Sequence, residues 1–388
     1  MRTVAFLLSL VLVFTIPWED ALTVGGLGTL TRVIGMLTAM VWFSSAIFAR
    51  RFRKPHPFHM VMFLFILWNV VSFFWCVGID EAVERIKTYI QLAMLAWILW
   101  DLYTTPLALK AALQAYILGA YVTIGSTIFN YLAGQKIDVY EERYAGANIN
   151  ANDLALILAL ALPIAWYLAV SATTGKKNTV LTLINYAYVP AALFAIILSA
   201  SRMALFAIVP AVVYIVGTAN RLKPLYRVLI LAALLGTLPF IPQSSIERLA
   251  TTGASLSTGD IGGRGRLWEA TIAVYLEHPL RGIGSGALNA PNVLGTVAHN
   301  TFLSVLAELG LIGFILFVIM LAIVAYQAVT QSKWLAALWT SVLLIWAIGV
   351  FTLTWEYRKT TWLFLSLVVI SASLFRRDES VGESSPIR

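Results

Sequence analysis

Residues 300–328 read "NTFLSVLAELGLIGFILFVIMLAIVAYQA", an apolar run interrupted by a single charged side chain, Glu308. A helix of about 20 apolar residues spans the hydrocarbon core of a bilayer, and a helix satisfies its own backbone hydrogen bonds there. Runs of the same character recur at 4–18, 30–49, 58–77, 86–104, 111–133, 153–171, 179–199, 202–218, 225–241, 333–354 and 361–375. The chain is therefore expected to be all-α, a polytopic membrane protein with about 12 transmembrane helices. Composition agrees, with 60% hydrophobic and 12% charged residues in 388 and a mean hydropathy of +0.83. An outer-membrane barrel is excluded, because its strands alternate polar and apolar residues over about ten positions.

An even number of spans places both termini on one side. With the termini in the cytoplasm, the short inner loops hold Arg2, Arg50, Arg51, Arg53, Lys54, Lys110, Lys176, Lys177, Arg221, Lys223, Arg227, Lys333, Arg376 and Arg377. The outer ones hold Arg32, Arg85, Lys87, Lys136, Arg143, Arg202, Arg358 and Lys359. The positive-inside rule selects this orientation. The same excess accounts for most of the net charge of +8, so no nucleic-acid partner is implied. The chain then forms one integral membrane domain, 1–388, with outer loops at 134–152 and 242–299. A polar cytoplasmic tail, 376–388, has the composition of a disordered segment. Within the long loop, 264–278 ("RGRLWEATIAVYLEH") places apolar residues at 267, 268, 272, 275 and 276. That spacing predicts an amphipathic helix on the membrane surface. Pro279 ends it, and the glycines of "HPLRGIGSGALNAPN" are expected to turn tightly beside a ligand. The start of the chain has the basic turn and apolar run of a signal peptide. It lacks a small-x-small cleavage site before "PWED", so it is expected to remain as the first span. The lone cysteine, Cys76, makes no intramolecular disulfide and reads as apolar filler.

Four polar groups gather on the outer side. In "SASRMALF", Arg202 offers a planar guanidinium fork suited to phosphate oxygens, or anchors the helix at the interface. In "GGRGRLW", Arg264 and Trp268 are four apart and share a helix face, while Arg266 points elsewhere; an anion site and a basic surface helix both fit. In "RYAGANINAND", Arg143, Asn150 and Asn152 precede a span. The asparagines can bind sugar hydroxyls, and Asn152 or Asp153 is the expected helix cap. In "AHNTF", Asn300 or Thr301 is expected to cap the next helix. Its positive end would keep His299 neutral and usable as a general base. His56, His59 and His278 read as structural or solvated. Glu308, about nine residues past His299, can face the bundle and support the site or an access path. There is no H-E-x-x-H pair, Walker loop or G-x-S-x-G elbow. Four histidines and one cysteine make no typical zinc site. Glu141, Glu142, Asp260, Glu269 and Glu277 form no recognisable ligand set, so neither metal nor cofactor is expected. Arginines with one histidine suit a group transfer in which a phosphate departs.

The order "RYAGANINANDLA", "SASRMALF", "GGRGRLWEATIAVYLEHPLRGIGSGALN" and "AHNTFLSVLAELGLIGF" resembles the bacterial O-antigen ligase and polymerase superfamily, with its Wzy-C-type region, over roughly 143–315. The resemblance implies a metal-independent glycosyltransferase of the inner membrane with its active site facing the periplasm. Such an enzyme takes a glycan from undecaprenyl pyrophosphate and attaches it to an acceptor. It implies His299 as the base and Arg202 and Arg264 as contacts to the donor pyrophosphate, with Arg266 a weaker candidate. Many members have proline between the two asparagines, where this chain has Ala151. An O-antigen ligase acting on lipid A-core is the favoured reading, because the chain is compact and adds no soluble domain. The alternatives are an O-antigen polymerase and a pilin O-oligosaccharyltransferase. A transporter of lipid-linked sugar is the reading of another class. It calls for ionisable residues at the membrane midplane or broken helices, and no internal repeat points to it.

Overall fold

The computed structural model describes residues 1–49, 52–136, 143–171, 179–221, 224–250 and 264–382. Glu141, Glu142, Asp260, Arg50, Arg51, Lys176, Lys177 and Lys223 lie outside the described residues, as do the end of the expected tail and parts of both outer loops. The helices are α1 (Arg2–Thr15), α2 (Leu30–Ala49), α3 (Pro57–Val71), α4 (Ile79–Leu102), α5 (Pro106–Leu132), α6 (Ala151–Ser171), α7 (Thr179–Leu198), α8 (Arg202–Ala207), α9 (Val209–Thr218), α10 (Pro224–Thr237) and α11 (Gln243–Ala250). They continue with α12 (Gly265–Glu277), α13 (Thr301–Val329), α14 (Lys333–Val350) and α15 (Lys359–Gly382). Thr23–Val24 and Gly28–Thr29 form a small antiparallel pair.

Every apolar run of the sequence is helical, but the runs are not equivalent. Among the described residues, seven helices are long and apolar enough to cross a membrane, or eight if the pair Leu225–Phe240 and Gln243–Ala250, bent by 100°, is one span. Arg2–Trp18, Arg202–Thr218 and Lys359–Phe375 are apolar but shorter. α4 carries Asp80, Glu81, Glu84, Arg85 and Lys87 in its first turns. The expected twelve is reached only if these four also span. α15 runs on to Gly382, so the segment expected to be disordered begins as helix.

α6 is the central post. It is apolar on all sides and buried from Leu154 to Trp166, the pattern of a helix surrounded by others. It packs on α5, α7 and α14. Its first turn brings Asn152 and Asp153 to one end of the bundle. That end also holds the close of α1 with Glu19 and Asp20, the 353–358 turn and the start of α13. The opposite end joins Arg2, Arg53 and Asp101.

The long run that opened the sequence reading is not one helix. Gly310 has φ +64° and ψ −171°, a conformation open in practice only to glycine, and it divides α13 into a short first half and a long body. The 279–286 segment takes up the backbone groups this break releases. Leu311 N and Ile312 N donate to Pro279 O and Leu280 O, at 2.9 and 3.2 Å. Ile283 N and Gly284 N donate to Ala307 O and Glu308 O, at 3.1 and 2.8 Å. A Cβ on Gly310 would sit 2.4 Å from Leu280, and one on Gly282 would sit 2.4 Å from Glu308. These glycines therefore admit the neighbouring backbone. The segment dips into the protein, where Ile283, Ala287, Leu288 and Ala298 bury a small core of their own with Ala307.

Candidate active site

Asn300 caps α13, accepting from Phe302 N and Leu303 N at 3.0 Å each. The residue before it, His299, has φ +49°. A side chain bearing a Cβ is uncommon there, so the imidazole's direction is set by the turn. The other described non-glycine residues with positive φ are Ala147, Asn148 and Ala200, and each lies in a loop framing this same end. Concentrated strain of this kind marks a region whose geometry is held for a purpose beyond packing.

Ala200, at φ +47°, turns the chain between α7 and Arg202. Three side chains pin that turn. Ser201 Oγ and Arg143 Nη2 both donate to Asn152 Oδ1 at 2.8 Å. Arg143 Nε donates to Ser199 O at 3.0 Å and Arg248 Nε to Ala200 O at 3.1 Å. Arg143 and Asn152 thus brace the loop that presents Arg202. The cap of α6 is Asn150, whose Oδ1 accepts from Asn152 N at 2.8 Å. The expected cap, Asn152 or Asp153, is displaced because both side chains are committed elsewhere.

Arg264 begins α12, and its carbonyl accepts from Trp268 N at 2.9 Å. Trp268 is half-buried, and its Nε1 is buried without a hydrogen-bond partner among the described residues. Arg266 is exposed. Ile272 and Leu276 leave α12 with an exposed apolar edge, as the amphipathic reading predicts.

The electrostatics tie these pieces together. Burial pushes the His299 imidazole below its ordinary value, the Arg264 guanidinium adds to the effect, and Asp153 opposes it. Burial likewise disfavours the charge on Arg264, with Arg202 working in the same direction and Asp153 against it. His299, Arg264, Arg202 and Asp153 therefore share one neighbourhood. Burial and the nearby cation push His299 toward its neutral form. Like-charged guanidiniums kept near each other and partly out of water are stabilised by an arriving anion.

Several residues here were not read from the sequence as part of the site. Asp153 Oδ1 accepts from Trp355 Nε1 at 2.6 Å, and its Oδ2 lies 3.4 Å from Arg358 Nη2. Arg358 also faces Asp20 at 3.6 Å, and Lys359 pairs with Glu19. Burial works against the charge on Arg358, but Asp153, Tyr357, Glu19 and Asp20 outweigh it and hold the group above its ordinary value. The clusters "PWED" (17–20) and "TWEYRK" (354–359) carried the signal, as charged residues beside spans on the side assigned to His299. Glu308 faces the bundle, buried, and meets Arg85, which is buried within α4 and not in the short outer loop expected. His56 and His59 form a reciprocal cap on α3, and His278 is exposed at the end of α12. Among the described residues, no group of three His, Cys, Asp or Glu side chains is arranged to hold a metal ion.

Fold and site define a polytopic helical membrane protein with an imidazole and two guanidiniums gathered at one end of its bundle. Residues 187–318, about a third of the chain, match the family model Wzy_C, described as O-antigen ligase. The match supports the O-antigen ligase superfamily, and with it glycosyl transfer of the ligase or polymerase type between a lipid-linked glycan and an acceptor. It contains Arg202, Arg264, Arg266, Trp268, His299, Asn300 and Glu308, whereas Arg143, Asn150 and Asn152 precede it. No curated protein matches the chain.

Proposed function

We propose that the protein is an O-antigen ligase of the bacterial inner membrane, with the His299 end of the bundle facing the periplasm. It moves a glycan from undecaprenyl pyrophosphate to a hydroxyl of lipid A-core. The observation that carries this reading is His299 coupled to Arg264, and Arg264 to Arg202, within the segment that matches the family, with burial and Arg264 lowering the imidazole below its ordinary value. His299 removes the proton from the acceptor hydroxyl. The oxygen attacks the anomeric carbon from the face opposite the pyrophosphate, and the new C–O bond forms as the bond to the pyrophosphate oxygen breaks, inverting the configuration. The leaving pyrophosphate keeps the electron pair, and Arg202 and Arg264 meet its charge. The proton on His299 returns to solvent. No metal or cofactor takes part. Trp268 offers a face for a sugar ring or lipid headgroup, and Arg266, exposed on another face of the helix, is the weaker candidate for the pyrophosphate.

The test is transfer by the purified protein in liposomes from an undecaprenyl-pyrophosphate-linked glycan to lipid A-core. His299→Ala and Arg264→Ala are expected to abolish transfer while inserting normally, and normal transfer by both would overturn the reading. A deletion strain separates the acceptors. Loss of glycan-capped lipopolysaccharide with polymerised glycan left on the carrier indicates the ligase. Capping by single repeats indicates a polymerase, and normal lipopolysaccharide with unglycosylated pilin a protein transferase. A lipid-linked sugar transporter would move the donor across the liposome without transfer. The break in α13 does not favour it, because the released backbone groups are bonded to residues 279–284.

A further inference from the structure

The first half of α13, Thr301–Leu309, carries His299 at its mouth, yet the break at Gly310 cuts it off from the membrane-crossing body. A helix of two and a half turns has little stability of its own, so its place is set by what it touches. One face, spaced by three and four residues, is polar: Thr301, Ser304 and Glu308. Thr301 Oγ1 donates to Leu353 O at 2.9 Å and accepts from Trp355 N at 2.8 Å. Ser304 Oγ donates to Glu356 Oε1 at 2.9 Å. Glu308 Oε2 accepts from Gly286 N at 2.9 Å. All of this converges on Arg85 of α4, whose Nη1 lies 3.1 Å from Glu356 Oε1 and 3.4 Å from Glu308 Oε2, with its guanidinium stacked 3.8 Å from the Tyr357 ring centre. Glu356, Glu308 and Arg85 are 1%, 3% and 5% exposed. Glu356 Oε2 is buried without a hydrogen-bond partner among the described residues, and a buried ion cluster is often no more stable than apolar side chains of the same size. Stability alone is a weak account of the cluster. The turn held by Glu356 also carries Trp355 and Arg358, the two partners of Asp153, and Asp153 acts on His299.

We propose that Arg85, Glu308 and Glu356 are positioning residues that seat the first half of α13 and the 353–358 turn together, and so fix His299 relative to Asp153 and Arg264. This rests on the transferase reading above. Arg85 touches no reacting atom; it acts through two carboxylates on two segments, which a single point charge or an apolar residue does not reproduce.

The test uses the full-length protein in liposomes with two readouts. The first is the rate at which diethylpyrocarbonate modifies His299, followed by mass spectrometry, which needs no activity. The second is kcat and KM for the donor. The variants are Arg85→Met, Glu356→Ala, Glu356→Gln and the triple Arg85→Met/Glu308→Gln/Glu356→Gln, which removes every charge of the cluster and keeps the test alive if Arg85→Met alone does not fold. Arg85→Met, Glu356→Ala and the triple variant are expected to modify faster at His299. They should lose kcat on the order of 100-fold, the effect of a displacement of about 1 Å, at unchanged KM. Glu356→Gln keeps an oxygen for Arg85 and Ser304 and is expected to retain most of the rate. A folded triple variant with wild-type modification and wild-type kcat overturns the proposal. A wild-type protein that transfers nothing overturns the transferase reading instead, and the modification rates then still decide whether the cluster seats His299.

Discussion

Both ends of the bundle carry ion pairs, but only one also gathers like charges. At one end Asp101 is buried and saturated. Arg2 Nη2 lies 3.1 Å from Oδ2, Trp42 Nε1 donates to Oδ2 at 3.0 Å and Arg53 N donates to Oδ1 at 3.1 Å. The Arg53 side chain continues to Trp100 O and Ser373 Oγ, at 2.8 Å each, and stacks 3.5 Å from the Trp100 ring centre. Both of these cations, Arg2 and Arg53, meet an acceptor or a ring. At the other end Arg264 and His299 are each disfavoured in their charged forms by burial and by a neighbouring guanidinium. Matched signs stitch helices together; like signs held together and partly out of water carry an electrostatic cost that an anion would relieve.

The largest contrast comes from one substitution at each end. His299→Ala is expected to cut transfer by about 10²–10⁴-fold, the contribution of a general base, with little change in thermal stability. Asp101→Ala is expected to leave kcat per folded molecule unchanged and to cost about 1–3 kcal/mol, because it leaves buried donors without an acceptor. Thermal unfolding and transfer assays on both variants check this, and a catalytic defect in Asp101→Ala would erase the distinction between the ends.

The pH profile sharpens it. As a base, His299 works in its neutral form, and its folded value lies below 6.5. The acid limb of kcat/KM should therefore fall below pH 6.5, the ordinary histidine value. Asp153→Asn removes the group that favours the imidazolium and should shift the limb lower. Arg264→Gln removes a cation that disfavours it and should shift the residual activity's limb upward. A limb that stays in place in both variants would separate His299 from its supposed neighbours.

The smallest effect belongs to Glu356. Burial pushes it up from 4.5 to about 7, with Arg85 opposing and Glu308 reinforcing. Its folded value is above its unfolded one, so the protonated group contributes stability below pH 4.5 that is lost as pH rises through about 7. Glu356→Gln should flatten that part of the stability–pH curve, measured by unfolding between pH 5 and 8. An unchanged slope would assign the titration to another group.

Helices were legible because apolar length is a local property; each run from 4–18 to 361–375 carries its own evidence. The break at Gly310 was hidden because the run stays apolar on both sides and the cause lies some 30 residues upstream, at 279–284. His299, Arg264 and Arg202 stood out as polar residues beside apolar spans. Asp153, Arg358, Glu356 and Arg85 did not, since their meaning is in pairings across the chain: Arg85 meets Glu356 271 positions away and Trp355 meets Asp153 202 positions away. Such contacts leave no periodicity to read.

The short first half of α13 has a consequence for biogenesis. Its seat is assembled from residues made long before it, Trp68 and Arg85, from 283–286 made just before it, and from a segment made well after it, 353–356. Chains grow from the N-terminus at about 5–20 residues per second, so a ribosome that has just released His299 into the membrane has not yet supplied the partners of Thr301 and Ser304. The partners of Thr301 and Ser304 arrive only with the turn between α14 and α15, so the contacts that seat this short helix are completed after its own synthesis.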